Sequence, residues 1–252
     1  NLHAELVLKS IKKNKNVFVE KPLALNKKEL IKLKEYYLTD SSKPILFTGY
    51  NRRFSSHIKH IKKYIENNNL PFILNYRVNA GFIKNDNWIQ KNNEGGGRNI
   101  GEACHFYDLF CFLADSEIYK ITANAINFDN LENFDSENTP LPNENFIATL
   151  KFKNQCICNL IYTSMGNKKV EKEYMELFIG QNIFILQDFK KLEFIGNNSK
   201  IYKINKKDKG LKTELIEFYN SVQNSKNIIP INDQFRVSEI SFEVEDLIKK
   251  NR

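Results

Sequence analysis

The chain has 252 residues, 41% of them hydrophobic and 27% charged, with a formal net charge of +8. That length holds one large domain or two smaller ones around a substantial core, and the composition is that of a globular chain, which excludes disorder. No apolar run reaches the ~20 residues that span a bilayer, and no charged-then-apolar leader opens the chain, so no membrane partner is expected; cysteines read as reduced thiols suit the cytoplasm, the expected compartment. The first residue is Asn1, which places an expected natural start upstream.

The positive charge is dispersed. Lys12, Lys13, Lys15, Lys27, Lys28, Lys32 and Lys34 fall on the solvent faces of helical patterns, and Lys206, Lys207 and Lys209 fall in a turn. This gives no continuous phosphate track, and nucleic acid is not the expected partner. Neither Cys104 and Cys111 nor Cys156 and Cys158 form a C-x-x-C pair, so buried reduced thiols are expected and no metal site.

In chain order, Leu2, Leu6, Val7 and Ile11 carry helical spacing over 2–13. Asn16–Val19 is a short buried strand running into Glu20-Lys21-Pro22. Asn26 with Glu29 three residues on is a capping signature for a helix carrying Leu30, Leu33 and Tyr37. Ile45–Thr48 is a second strand, followed by Gly49-Tyr50-Asn51-Arg52-Arg53 and a helix capped by Ser55 or Ser56. This order is that of a doubly wound parallel sheet. After Pro71 strands follow one another at 72–80, 117–126, 144–152, 156–163, 173–179, 182–187 and 199–204, with a glycine-led helix over 95–113 and a polar loop over 127–143. Such a run implies an antiparallel sheet. Two amphipathic helices close the chain, one with Leu211, Leu215, Phe218 and Val222 and one with Phe235, Ile240, Val244 and Leu247. The expected fold is therefore α/β, a C-terminal remnant of a doubly wound (Rossmann-type) domain over 1–70 followed over 71–252 by an α+β domain with an open, mainly antiparallel sheet.

Three segments could carry chemistry. Lys21 stands at the carboxyl end of a strand, with its backbone directed by Pro22, where an ammonium can steady a developing alkoxide and burial would help it trade protons. The alternative is an exposed strand-end lysine beside a surface-paired Glu20. In Gly95–Asp108, Glu102, His105 and Asp108 recur every three residues and share one side of a helix, so that a carboxylate can fix the tautomer of a general-base histidine. The alternative is a core histidine bonded to a neighbouring carboxylate. Arg77, Asn79 and Trp88 supply polar and aromatic groups suited to a sugar, or Trp88 is a packed loop anchor.

Together, His3 ahead of a helix, Val17–Pro22, Gly49–Phe54 and the G-G-G…H-x-x-D of residues 95–108 resemble the glucose–fructose oxidoreductase/inositol dehydrogenase family, Gfo/Idh/MocA. The wording of 77–106 is similar to a subgroup linked to bacterial surface-polysaccharide gene products. The resemblance implies a Rossmann domain, a C-terminal domain whose sheet makes a homo-oligomer, and NAD or NADP as cofactor. It implies catalysis by Lys21 and His105, with hydride passing between the nicotinamide and a carbinol carbon of a sugar or nucleotide sugar. His3, Glu20, Lys21, Pro22 (after a cis bond), Asn51 and Arg52 would line the nicotinamide end, and Arg52, Asn79, Trp88 and His105 the substrate. Many members carry Asp four residues before the histidine, where this chain has Gly101, so Glu102 is the expected substitute. The family's phosphate-binding G-x-G-x-x-G segment would precede His3, so these 252 residues alone are expected to bind NAD(P) weakly. The competing expectation is a non-catalytic truncated paralogue serving as a substrate-binding or oligomerisation module.

Overall fold

The computed structural model describes residues 2–38, 43–91, 93–127, 141–196, 200–203 and 206–250. Helix α1 (His3–Ile11) buries Ala4, Val7 and Ile11 at helical spacing and leads into β1 (Val17–Val19). Helix α2 (Lys27–Leu38) starts at the expected cap: Glu29 N donates to Asn26 Oδ1 at 3.0 Å, and Leu25 N donates to Glu29 Oε2 at 2.8 Å. Strand β2 (Leu46–Thr48) lies parallel to β1, Val17 opposite Leu46 and Val19 opposite Thr48. The two-residue period of a strand then sorts the side chains. Val17, Val19 and Leu46 join the core of α1 and α2, while Phe18 and Phe47 turn the other way and stack at 5.6 Å.

Asn51–Phe54 forms a 3-10 turn, and α3 (Ser56–Asn68) follows. The side chain of Ser55 makes no capping bond. The amide of Ser56 donates instead to Asp208 Oδ2 at 3.0 Å, an acceptor 152 residues away that local spacing does not reveal.

The second sheet has eight strands: β3 (Phe72–Asn79), β4 (Ile118–Ala125), β5 (Asn145–Phe152), β6 (Ile157–Thr163), β7 (Glu173–Ile179), β8 (Asn182–Gln187), β9 (Lys191–Ile195) and β10 (Lys200–Lys203). Their spatial order is β10-β9-β8-β7-β3-β6-β5-β4, and only β3 with β6 is parallel. The open, mainly antiparallel sheet is the expected one, with β9 added between the predicted runs. Phe72, Leu74, Tyr76 and Val78 of β3 face the core, and Ile73 between them is 51% exposed. Ile147, Ile161, Phe178 and Tyr119 share that exposure on neighbouring strands.

The expected helix over 95–113 begins later than its glycines. Gly96 and Gly97 have φ of 76° and 74°, outside the helical region, and a π-helical turn (Asn99–Ala103) passes into α4 (Cys104–Ala114). Helix α4 lies between the sheet and α6 (Ile231–Lys250), with all but one of its residues buried. Helix α5 (Leu211–Gln223) lays Phe218 and Val222 on Phe47 and Phe54, and α6 reaches back to α2 and β2 through Phe235 and Phe242. All four cysteines are buried and free. Of the loop expected over 127–143, residues 128–140 lie outside the described residues. Among the described residues no helix is long and apolar enough to cross a membrane.

Candidate active site

Strand β1 ends at Glu20, and the chain turns through a cis Lys21–Pro22 bond. His3 at the start of α1 meets this turn, its Nδ1 2.8 Å from Pro22 O. A carbonyl can only accept, so Nδ1 carries the proton in that bond. Lys21 reaches across to the π-helical turn and donates to Gly101 O at 2.8 Å. A π turn widens the helical ladder and leaves carbonyls open to other donors. Glycine is required there: a Cβ on Gly101 would stand 2.6 Å from Gly95 O. Where the family pattern has an aspartate, this chain therefore offers Lys21 a backbone carbonyl.

A cavity of about 200 Å³ opens beside this contact, lined by His3, Lys21, Trp88, Arg98, Gly101 and Glu102 among others. Glu102 forms its inner anchor. It accepts from Arg98 Nη1 at 2.8 Å, Tyr162 Oη at 2.6 Å and Lys172 Nζ at 2.5 Å. Burial opposes its charge, but Lys172, Tyr162 and Arg98 outweigh burial and hold the carboxyl down to about 2. Glu102 is thus a fixed anion at neutral pH and does not exchange protons there. Arg98 also donates to Gly81 O at 2.8 Å, tying the turn to the end of β3.

His105 lies one turn further on, 8% exposed. Burial, then the fields of Arg52, Lys21, Lys209 and Lys172, push its pKa well below the usual histidine range, so the ring is neutral. Its Nδ1 has no hydrogen-bond partner among the described residues. The expected pairing of the imidazole with a carboxylate on the same helix face does not occur. The π turn swings Glu102 to Arg98 and Lys172, and Asp108 is taken by Arg53 in a bidentate pair at 2.9 and 2.5 Å.

The other expected site residues divide into two groups. His3, Lys21, Pro22, Trp88 and Glu102 line the one cavity, with Trp88 59% exposed at its edge. Glu20 is exposed at the end of β1, where a Cβ on Gly49 would stand 3.2 Å from its Oε2. Asn51 and Arg52 are committed elsewhere: Asn51 Nδ2 donates to Lys209 O at 2.7 Å, and Arg52 pairs with Glu173 through Nε and Nη2. Asn79 holds the 167–170 loop, donating to Asn167 O and Val170 O, and faces a different cleft.

Residues 62–232 match the family model described as "Oxidoreductase family, C-terminal alpha/beta domain", that of Gfo/Idh/MocA. The chain belongs to the Gfo/Idh/MocA oxidoreductase family. It is 31% identical over 127 residues to the myo-inositol 2-dehydrogenase of Thermotoga maritima, a match covering 50% of this chain and 36% of that protein. Among solved structures it is similar to a levoglucosan dehydrogenase in complex with NADH and levoglucosan, with a TM-score of 0.79, 17% identity, and coverage of 100% of this chain and 76% of that one. It is also similar to the UDP-N-acetylglucosamine 3-dehydrogenase of Acidithiobacillus ferrooxidans, with a TM-score of 0.75, 16% identity, and coverage of 99% and 76%. At these identities the structural likenesses establish the shared fold.

In this Gfo/Idh/MocA chain the sequence reading missed several charged residues beside His105. Glu173 is buried at the start of β7, Lys172 precedes it, and Lys209 comes from the segment before α5. Lys209 was taken for a solvated turn residue, yet its ammonium is bonded to Glu173. Glu214 on α5 was also missed: it is buried, Oε1 has no partner among the described residues, and burial followed by the charge of Glu20 raises its pKa to about 8. The available signal was Glu173 at the head of the alternating inward set Glu173, Met175, Leu177 and Ile179, which is weak without the partner elements.

Proposed function

We propose that this chain is part of an NAD(P)-dependent oxidoreductase acting on a carbinol carbon of a sugar or nucleotide sugar. Residues 1–70 would serve as part of the nucleotide-binding domain and 71–252 as the substrate and oligomerisation domain. The observation that carries the reading is a Lys21 side chain held on Gly101 O and, one turn further along, a His105 imidazole whose Nδ1 has no partner among the described residues and whose protonation the Lys21 charge opposes.

The residues at the end of β1 fit a nicotinamide. Glu20, Lys21 and Pro22 follow one another there, with Pro22 O 2.8 Å from His3 Nδ1, and the missing Cβ of Gly49 leaves room for the Glu20 carboxylate beside that turn. Asn51 and Arg52, already bonded, frame that end rather than reach into it. The bound nicotinamide supplies the hydride acceptor or donor. The chain's own residues then manage the proton. Neutral His105 accepts the proton of the substrate hydroxyl, and Lys21 stabilises the developing alkoxide. Gly101 O and the fixed anion of Glu102 hold the positive charges that aim at that oxygen. Trp88 at the cavity edge offers an apolar face to a sugar ring.

The exposed apolar side chains of the eight-stranded sheet, Ile73, Ile147, Ile161 and Phe178, support homo-oligomerisation through that face. A role in surface-polysaccharide metabolism, in the cytoplasm, rests on the wording of 77–106 alone. Incubation with NAD+ or NADP+ and a panel of free and nucleotide-linked sugars, followed by the absorbance of the reduced nicotinamide, tests the activity. Turnover that Lys21→Ala and His105→Asn both remove is the expected result. Sugar binding with no turnover on any cofactor would overturn the proposal.

A further inference from the structure

Beside the Lys21 cavity the carboxyl end of β3 opens on a second cleft of about 510 Å³. Asn79–Phe82, the 166–172 loop, Asp188, Lys190 and Lys207 wall it. Four lysines line it, and their partners are unequal. Lys172 is bonded to Glu102, Lys190 to Glu171 at 2.9 Å and Lys207 to Asp188, while Lys168 makes no ion pair among the described residues. Four ammonium groups thus face three carboxylates, and the uncompensated charge stands on an exposed loop.

The cleft also holds two buried acceptors that lack donors. Asn79 is 9% exposed and Asp188 2% exposed, and Oδ1 of each has no hydrogen-bond partner among the described residues. A buried polar atom left without a partner is destabilising, so both oxygens favour a ligand that brings O–H or N–H groups. The lysines favour an anion, and a phosphate suits ammonium groups as point charges. A ligand with both features is a phosphorylated polyol. Hydrogen bonds link the walls of the cleft to those of the Lys21 cavity: Arg98 joins Gly81 to Glu102, and Glu102 joins Lys172.

We infer that this cleft is a subsite for the phosphate ester of a phosphorylated sugar. Lys168 and Lys190 take the phosphate, Asn79 and Asp188 accept from hydroxyls, and the carbinol carbon extends towards Lys21. The choice of a sugar rests on the oxidoreductase reading of the Lys21 cavity; the choice of an anion does not. It narrows the substrate from sugars in general to those bearing phosphate, and it assigns the residues that select them.

Calorimetric titration of the full chain in about 50 mM salt, where screening is modest, tests this. The probes are UDP-N-acetylglucosamine, glucose 1-phosphate and their neutral parents N-acetylglucosamine and glucose. The phosphorylated probes are expected to bind at least about tenfold more tightly than the neutral ones, and a Lys168→Ala/Lys190→Ala double variant to lose that advantage. Both lysines are exposed, so the variant should keep the parent melting temperature. Preference for the UDP probe over glucose 1-phosphate would assign a diphosphate to the cleft, and the reverse a monophosphate. Equal affinity for charged and neutral sugars, no binding of either phosphorylated probe, or an unchanged double variant would overturn the inference. Turnover of neutral sugars that ignores the two lysines would overturn it while leaving the oxidoreductase reading intact. Lysine-dependent binding without turnover would do the opposite.

Discussion

Arg52 and Glu173, 121 residues apart in the chain, meet in a bidentate ion pair at 2.9 and 3.0 Å with both side chains buried. Glu173 also accepts from Tyr76 Oη at 2.7 Å and from the Lys209 ammonium, so one carboxylate serves two cations and a phenol. Burial resists its charge, but Arg52 and Lys209 hold Glu173 far below the ordinary carboxylate range. The cluster ties the turn after β2 to the start of β7 and sets the positive field in which His105 sits.

Glu173→Gln should therefore unlock that tie. It leaves Arg52 and Lys209 buried or half-buried without a counter-charge, and breaking a buried pair in this way costs about 3–5 kcal/mol. Urea unfolding monitored by circular dichroism should show a lower midpoint, with an unfolding free energy reduced by that amount. An unchanged midpoint would mean that solvent reaches the cluster and compensates it.

Lys21→Ala should separate chemistry from folding. Lys21 is half-buried and contributes a single hydrogen bond, to Gly101 O, so its loss should cost only about 1 kcal/mol of stability. Turnover measured by NAD(P)H absorbance should fall by about 10²–10⁴, the range for removing a positioned proton-handling or charge-stabilising group. A kcat within a few-fold of the parent would remove Lys21 from the reaction.

The His105 prediction concerns pH, and its sign follows from the direction of the shift. The folded protein keeps the ring neutral, while the unfolded chain takes up a proton below about 6.5. The unfolded state thus binds more protons, and stability that is present above that pH is lost as pH falls towards the folded value. His105→Asn removes the linkage. Between pH 7.5 and pH 5 the parent should lose stability relative to the variant, at up to roughly 1.4 kcal/mol per pH unit below 6.5 for as long as the folded ring stays neutral. Parallel stability curves would show that the ring protonates freely in the folded state.

Local spacing made part of this site legible and long-range pairing hid the rest. The Lys21-Pro22 turn and the Asn26–Glu29 cap are defined by neighbours within a few residues and stand where the sequence placed them, whereas the glycine run expected to lead the helix lies ahead of it. Lys172 and Lys209 act on His105, and Glu173 holds Lys209, only because β7 pairs with β3 and the segment before α5 folds over Asn51. Strand β9 had a usable signal in the alternation of Lys191-Leu192-Glu193-Phe194-Ile195, but it follows β8 after a turn carrying none of the usual glycine or proline marks. The π turn has no composition signature, and with it went the carboxylate–histidine pairing that ordinary helical spacing implied.

Glu102 and Asp108 should consequently fail in different ways. Asp108→Asn weakens a fully buried pair with Arg53, and its main effect should be a loss of about 3 kcal/mol in stability, with turnover per folded molecule nearly kept. Glu102 is 16% exposed at the cavity wall, and Glu102→Gln leaves Arg98 and Lys172 without their common anion beside the reacting position. Its main effect should be on kcat, with a smaller change in melting temperature. Comparing kcat and thermal midpoint for both variants decides between them, and the reverse pattern would make Asp108 the residue nearer the chemistry.

Gly101→Asp tests whether the aspartate common at this position in the family could simply be put back. A Cβ here would lie 2.6 Å from Gly95 O, a backbone atom that can yield only if the glycine run shifts. Overpacking of this kind costs about 1–3 kcal/mol. Any shift of the turn also moves Gly101 O away from Lys21 Nζ, now 2.8 Å apart. The new carboxylate would then compete with that carbonyl for the ammonium without the room to reach it. The variant should melt lower and turn over more slowly than the parent, and Gly101→Ala, which has the same Cβ without the charge, should account for most of both losses. A Gly101→Asp variant as stable as the parent and more active would show that the carbonyl contact is dispensable and that the family's aspartate fits this backbone.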